Sequence, residues 1–335
     1  MSKVLITDYA WDSLDREAAV LEAIGAELVV ADSGDESELV ELVADADAIL
    51  TCFAQVTRAV IRAGTRLRVI GRYGIGVDNI AVDEATALGI PVTNVPDYCV
   101  DEVAEHTLAF LLALARSITE YDRGIRRGSW GLEAGRPMHR LSGQTLGLVG
   151  FGAIAQGVAA RATALGLRVI ATTRSVPRAD LIALGVEHVS LSELAAQSDF
   201  VSLHVPHTLE TDRLIDAAFL SSMKPGAYLI NTARGGILDQ KALLSALQSG
   251  QLGGAALDVF TPERIRSDDP LLTHPRVIAT PHAAFYSEES IAQLAARAAG
   301  NVARVLAGWK ATDTVNPYVY DLPRWNRIDD GAVRQ

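Results

Sequence analysis

Through the first hundred residues, short apolar runs alternate with longer stretches whose apolar residues recur at helical spacing. "KVLITD", "ELVVAD", "DAILTCF", "RVIGRYG" and "PVTNVP" have the length of strands. Between them lie "SLDREAAVLEAIGA", ended by Gly25, then "ESELVELVADA", "TRAVIRAGTRL" and "VDEATALGI". Strand–helix alternation with short connections predicts a parallel sheet with crossover helices. From Asp101 the pattern changes. "DEVAEHTLAFLLALARSITEYDRGIRR" predicts one long helical segment, with Asp101 as its cap and Glu102 and Glu105 in its first turns. It is apolar on several sides, so it calls for burial by more than its own sheet, at a domain junction or a subunit interface. After the loop "GSWGLEAGRPMHRLSG" a second array follows: "TLGLVG", "VIATT", "HVS", "FVSLHVP", "AYLINTA", "GGAALDVF" and "VIATPH". The tail from Ser287 is helical through "AARAAGNVARVLAG" and then irregular, and it is expected to return to the first array.

These arrays predict an α/β chain of two doubly wound parallel-sheet domains with a cleft between them. The first is flavodoxin-like and discontinuous, residues 1–100 plus 287–335; the second, 101–286, is Rossmann-like. The 335 residues, 49% of them hydrophobic, suffice for two real cores. No segment has the apolar length of a membrane span, and "MSKVLITDYA" reads as a first strand, not a signal peptide. Cys52 and Cys99 lie far apart without metal-ligand spacing. They read as buried thiols of a cytoplasmic protein, and no metal is expected. A net charge of −11 argues against nucleic acid as a main partner.

"GLVGFGAIA" sets Gly150 and Gly152 after an apolar strand and before a helix. Gly150 permits the tight turn, Gly152 lets backbone approach a pyrophosphate, and Ala155 is small enough for close helix–strand packing. The amides of Ala153 and Ile154 then face the phosphates at a helix N-terminus. A dinucleotide site of this kind usually reads its ribose with a carboxylate about twenty residues on. Here that position is Thr173, followed by Arg174 and Ser175. Thr173 cannot repel a 2′-phosphate, Arg174 can pair with one, and the hydroxyls can donate to it. This predicts NADP(H) over NAD(H). The alternative leaves Arg174 a solvated loop cation and the protein able to use either cofactor.

Three later strand ends carry chemistry: "LINTARGG" with Arg234, "ALDVFTPE" with Asp258 and Glu263, and "IATPHAAF" with His282. Ligands of open α/β sheets lie outside the carboxyl ends of strands, so these groups can converge. An Arg suits a carboxylate and polarises a carbonyl. A His exchanges protons near neutrality, and a carboxylate behind it favours its charged form. Val205 and Pro206, at the end of "FVSLHVP", and Thr232 and Ala233, in "LINTARGG", complete the cofactor set with Arg234 and His282. His204, His207 and His274 read as structural, and Asp8 and Asp32 as strand-end caps.

With these residues in view, the chain resembles the D-isomer-specific 2-hydroxyacid dehydrogenases over nearly its whole length, from "GRYGIGVDNI" through "VPDYCVDEVAEHT" to "TPHAAFYSEES". The resemblance implies that Arg234, Glu263 and His282 are the catalytic set and that Asp258 binds the nicotinamide carboxamide. It implies that the loop Arg72, Tyr73, Gly74, Ile75 and Gly76 gives backbone amides to a substrate carboxylate. It implies a homodimer formed through the cofactor domain. "TPHAAFYSEES" is similar to the C-terminal binding protein branch, which usually has Trp where this chain has Phe285. Phe53 and Phe285 are expected to line the substrate pocket with Arg234. Phosphoglycerate-specific members carry arginines in the segment that here reads Cys52, Phe53, Ala54, so an apolar or medium-sized 2-oxo acid is expected, with hydroxypyruvate and glyoxylate open. The activity so implied is reduction of a 2-oxo acid to the D-2-hydroxy acid by a nicotinamide cofactor. The rival is a dinucleotide-sensing, corepressor-like binding protein. Formate oxidation would pair the His with Gln, and Glu263 argues against it.

Overall fold

The computed structural model describes residues 1–325 except Arg136, in two compact units: Met1–Tyr98 with the chain from Ser287 onward, and Cys99–Tyr286. Residues 326–335 of the tail lie outside the described residues.

The first unit is a five-stranded parallel sheet: β1 (Ser2–Ile6), β2 (Ala26–Val30), β3 (Ala48–Thr51), β4 (Val69–Arg72) and β5 (Val92–Thr93), in the order β2-β1-β3-β4-β5. That is the flavodoxin-like order, reversing between β1 and β3. The helices are α1 (Asp15–Glu22), α2 (Glu36–Val43), α3 (Arg58–Ala63) and α4 (Val82–Ala87). Strands β3 and β4 are buried along their length because both faces are covered. Leu39 and Val43 of α2 and Val60 and Ile61 of α3 close one face over Ile49 and Ile70.

The second unit begins with α5 (Val100–Ala115) and α6 (Ile118–Arg126). Its strands are β6 (Thr145–Val149), β7 (Arg168–Thr172), β8 (Glu187–His188), β9 (Phe200–Leu203), β10 (Ala227–Asn231), β11 (Leu252–Leu257) and β12 (Val277–Ala279). They form one parallel sheet ordered β12-β11-β10-β9-β6-β7-β8, which reverses between β6 and β9. Its helices are α7 (Ala153–Ala164), α8 (Arg178–Ala183), α9 (Leu191–Gln197), α10 (Ala217–Ser222), α11 (Gln240–Gln248) and α12 (Pro270–Thr273). Helices α5, α7 and α8 pack on one face and α9 to α12 on the other. The tail helix α13 (Glu288–Leu306) belongs to the first unit, packing on α1, β3 and β4. Ser287 caps it in a reciprocal bond with Ser290.

The long helix expected from Asp101 is two helices. Ser117 stands in the left-handed region, φ 48°, and turns the chain between α5 and α6. Ser, Ile and Thr in succession are weak helix formers, so the break falls there. Asp101 does not cap α5, whose flanking residue is Cys99. Its carboxylate instead accepts from Arg161 Nη2 at 2.6 Å, tying α5 to α7. The many apolar positions of α5 are explained within its own unit: it is buried against α7, β10 and β11.

Candidate active site

The second sheet brings its candidate residues to the carboxyl ends of β6, β7, β9, β10, β11 and β12. The turn after β6 lies where strand order reverses, the usual ligand crevice of such sheets. Gly150 there has φ 95°, and a Cβ on it would lie 2.4 Å from the His204 carbonyl oxygen and 2.9 Å from Val205 Cγ1. Only glycine fits. A Cβ on Gly152 would meet nothing within 4 Å, so this side of the turn is open to an incoming pyrophosphate. Ala153 and Ile154 begin α7, where the first amides have no carbonyl within the helix to bond. Ala155 is fully buried against the sheet. These features fit a dinucleotide.

At the end of β7 the Thr173 carbonyl oxygen lies 3.3 Å from His188 Nε2, and its hydroxyl accepts from the Ser175 amide at 3.4 Å. Arg174 is paired with Glu210, from the loop after β9. Both side chains are exposed, 80% and 68%. Val205 is half-buried at the start of that loop and Pro206 is exposed. Its structural histidine, His204, bonds Ser202 at 2.9 Å, and desolvation pushes its imidazole down to about 4.

On the other side of the reversal, Glu263 Oε1 lies 2.5 Å from His282 Nδ1. The imidazole is 19% exposed and the carboxylate 43%. Phe285 stands edge-on to the imidazole, ring centres 6.0 Å apart. The loop carrying Glu263 is clamped by Gln240, whose amide both donates to and accepts from the Thr261 backbone at 2.8 Å. Arg234 follows β10 and is half-buried, with its Nη1 donating to the Ala233 carbonyl at 2.8 Å. Asn231 holds that turn by donating to the Arg234 carbonyl at 2.9 Å and accepting from the Ala233 amide at 3.0 Å.

Two residues expected to touch cofactor also hold the protein's own framework. Asp258 is buried, and its carboxylate accepts from the amides of Ala283 (2.8 Å) and Ala284 (3.0 Å) and from the Thr280 hydroxyl. Both oxygens help to build the turn around His282. Thr232 is buried with its hydroxyl 2.9 Å from that of Thr107 on α5.

In the first unit, Asp8 caps the end of β3, as a strand-end residue should. Its carboxylate accepts from the amides of Cys52 (2.9 Å) and Phe53 (2.6 Å). Burial pushes the Cys52 thiol up to about 12, so it is inert. Asp32 follows β2 in a turn whose amides, those of Asp32, Ser33 and Gly34, all donate to Glu38 at 2.6–3.0 Å. The loop after β4 is narrower in its offer than its sequence suggests. The Tyr73 amide donates to Thr51 and the Gly74 amide to Arg72. The Tyr73 ring is buried edge-on to Trp11, centres 4.8 Å apart. Arg72 is buried too, and its Nε donates to Asn79 at 3.1 Å. Gly74, φ 144°, has the guanidinium 2.8 Å from where a Cβ would stand. Only Ile75 and Gly76 of this loop reach the surface.

Glu210, Gln240, Thr280 and His106 were not legible as site residues. Each reaches its partner through strand order, and no local pattern marks it. A cavity of about 1440 Å³ opens at the opposite, amino-terminal end of the second sheet, beside Arg140, Lys224, Tyr228 and Arg276. None of the candidate site residues lines it.

Residues 108–284 match the family model described as D-isomer specific 2-hydroxyacid dehydrogenase, NAD binding domain. The chain is 42% identical over 287 residues to a glyoxylate reductase of Korarchaeum cryptofilum, covering 84% of this chain and 86% of that protein. It is 38% identical over 321 residues to a D-3-phosphoglycerate dehydrogenase of Synechocystis sp.. That match takes in 94% of this chain but only 56% of the longer relative. Among solved structures, a D-lactate dehydrogenase from Aquifex aeolicus complexed with NAD and lactic acid superposes with a TM-score of 0.84 at 30% identity, covering 92% of this chain and 96% of that one.

Proposed function

The chain belongs to the D-isomer-specific 2-hydroxyacid dehydrogenases, and on that premise we propose that it reversibly reduces a 2-oxo acid to the D-2-hydroxy acid, with NADPH favoured over NADH. The observation that carries this reading is the His282–Glu263 pair on the same sheet as the phosphate turn.

A reduced nicotinamide bound along that sheet edge supplies the hydride. The rest is done by this chain. With Glu263 on Nδ1, Nε2 is the nitrogen left to exchange a proton. In reduction, Nε2–H of the His282 imidazolium gives its proton to the carbonyl oxygen as the carbonyl carbon takes the hydride. In oxidation the neutral ring takes it back. Glu263 fixes the ring and faces its positive charge. Arg234 holds the substrate carboxylate and polarises the carbonyl through its planar fork. Phe285, beside the imidazole, supplies apolar surface.

The cofactor preference rests on Arg174 beside Thr173 and Ser175. The 2′-phosphate must take Arg174 from Glu210, so the preference is expected to be modest. The segment Cys52, Phe53, Ala54 supports an apolar or medium-sized 2-oxo acid over a phosphorylated one. A homodimer formed through the cofactor unit is part of the same reading, supported by exposed Ile118 and Ile125 on α6 and Trp130 and Leu132 beyond it. Buried Cys52 and Cys99 agree with a cytoplasmic setting.

Initial rates of NADPH and NADH oxidation against 2-oxo acids from glyoxylate and hydroxypyruvate to phenylpyruvate and 4-methylthio-2-oxobutyrate test the proposal. Turnover of one acid with NADPH ahead is expected. Tight nucleotide binding with no turnover of any acid would move the function to nucleotide sensing.

A further inference from the structure

Helix α5 sends one polar side chain toward the turn that carries His282. His106 Nε2 lies 3.0 Å from Thr280 Oγ1 and 3.9 Å from Asp258 Oδ1, and its ring stands edge-on to Phe110. Thr280 has one hydroxyl proton and gives it to Asp258. Its oxygen can therefore only accept from His106, which puts a proton on His106 Nε2. Donation runs in one direction, from His106 to Thr280 to Asp258. Asp258 then accepts the amides of Ala283 and Ala284, the two residues after His282, and its carbonyl accepts the His282 amide at 2.7 Å. His282 itself has φ 54°. A non-glycine residue holds that conformation only where its surroundings impose it.

We infer that His106 is a positioning residue for the proton donor. Through Thr280 it keeps the Asp258 carboxylate turned to the two amides, and so fixes the left-handed turn from which His282 meets Glu263. The inference rests on the reading of His282 as proton donor. Without the His106 N–H, the Thr280 hydroxyl is free to rotate off Asp258. The carboxylate then loses an oriented donor, and the turn loosens. Small displacements of an acid relative to its substrate cost large factors in rate.

His106→Phe keeps the ring and its packing on Phe110 but removes the donor; His106→Gln keeps a donor near Nε2. In the intact enzyme, H106F is expected to lower kcat about tenfold with the cofactor KM little changed. H106Q should restore most of that loss. Thr280→Val should resemble H106F, and the double variant should lose no more than the worse single variant, because the two residues act in one chain of bonds. Amide hydrogen exchange at Ala283 and Ala284 gives a readout without turnover. It should quicken in H106F while the amides of β11 keep their rates. Wild-type kcat and exchange in H106F would overturn the inference, as would losses that H106Q does not restore or that add in the double variant. If the wild type turns over no 2-oxo acid, the functional proposal fails, and exchange at these two amides still decides whether His106 positions the turn.

Discussion

Two side-chain pairs stand at the carboxyl end of the same sheet, and they are built differently. His282–Glu263 joins a left-handed turn, held by Asp258 and Thr280, to a loop clamped by Gln240. Arg174–Glu210 joins two long side chains that both point into water. In the first pair the backbone of both partners is fixed by other bonds, so little ordering of the side chains remains to be done. In the second, holding each side chain still costs entropy, and solvent screens the attraction. The difference suits the tasks proposed for the two pairs. A proton donor must be placed to within a fraction of an ångström. A cation that greets a 2′-phosphate gains from being able to leave its partner.

The comparison is tested first at its strong end. His282→Ala should lower kcat about 10³-fold, and Glu263→Gln about 10²-fold, by steady-state rates at saturating 2-oxo acid. Near-wild-type turnover in His282→Ala would remove the acid–base assignment. Arg174→Ala should reduce kcat/KM for NADPH about tenfold, the worth of a charge-assisted bond, and leave NADH unchanged. Equal losses with both cofactors would make Arg174 a structural cation. Glu210→Gln should improve NADPH efficiency by only about threefold, in the KM and not in kcat, as expected for releasing an exposed pair. A gain as large as the Arg174→Ala loss would mean that the outer pair is as rigid as the inner one.

Glu38 sharpens the rule from the other unit. It is half-buried, which by itself would raise it, yet the Ser33 hydroxyl and the amides of Asp32, Ser33 and Gly34 hold its carboxyl down to about 2. Fixed backbone donors, and not burial, set it apart from Glu210. Its folded pKa lies below the ordinary value of about 4.3. The stability it contributes is therefore present above that value and is lost as pH falls through about 2. Glu38→Gln should lower the thermal unfolding midpoint at pH 7, with the gap from wild type closing as the pH approaches 2. A gap that does not depend on pH would mean the carboxylate charge is not what holds the turn.

Much of this was legible in the chain. The central strands β3, β4, β6, β9 and β10 lie within apolar runs of strand length, because a strand covered on both faces must be largely apolar, whereas the edge strand β8, Glu187–His188, has no such run. Gly150 marked the phosphate turn because only glycine tolerates φ 95° beside the His204 carbonyl, and Gly152 because the space beside it is open. Other features were hidden. The helix expected over 101–127 breaks at Ser117, and Asp101 serves Arg161 instead of capping α5. The Tyr73 and Gly74 amides serve Thr51 and Arg72. Asp258 serves a turn. In each case the residue type was read correctly as polar or apolar, and its partner was not.

The sequence by itself determined the alternation of strands and helices, the glycine turn, and the identity of the groups able to hold a carboxylate and move a proton. These follow from local rules: side-chain periodicity, backbone freedom and intrinsic acidity. Only the tertiary structure decided that Glu210 meets Arg174, that Gln240 clamps the Glu263 loop, and that His106 reaches Asp258 through Thr280. Those pairings depend on which strands lie side by side. Strand order is set by the packing of whole layers, and a residue carries no local mark of the neighbour that packing will give it.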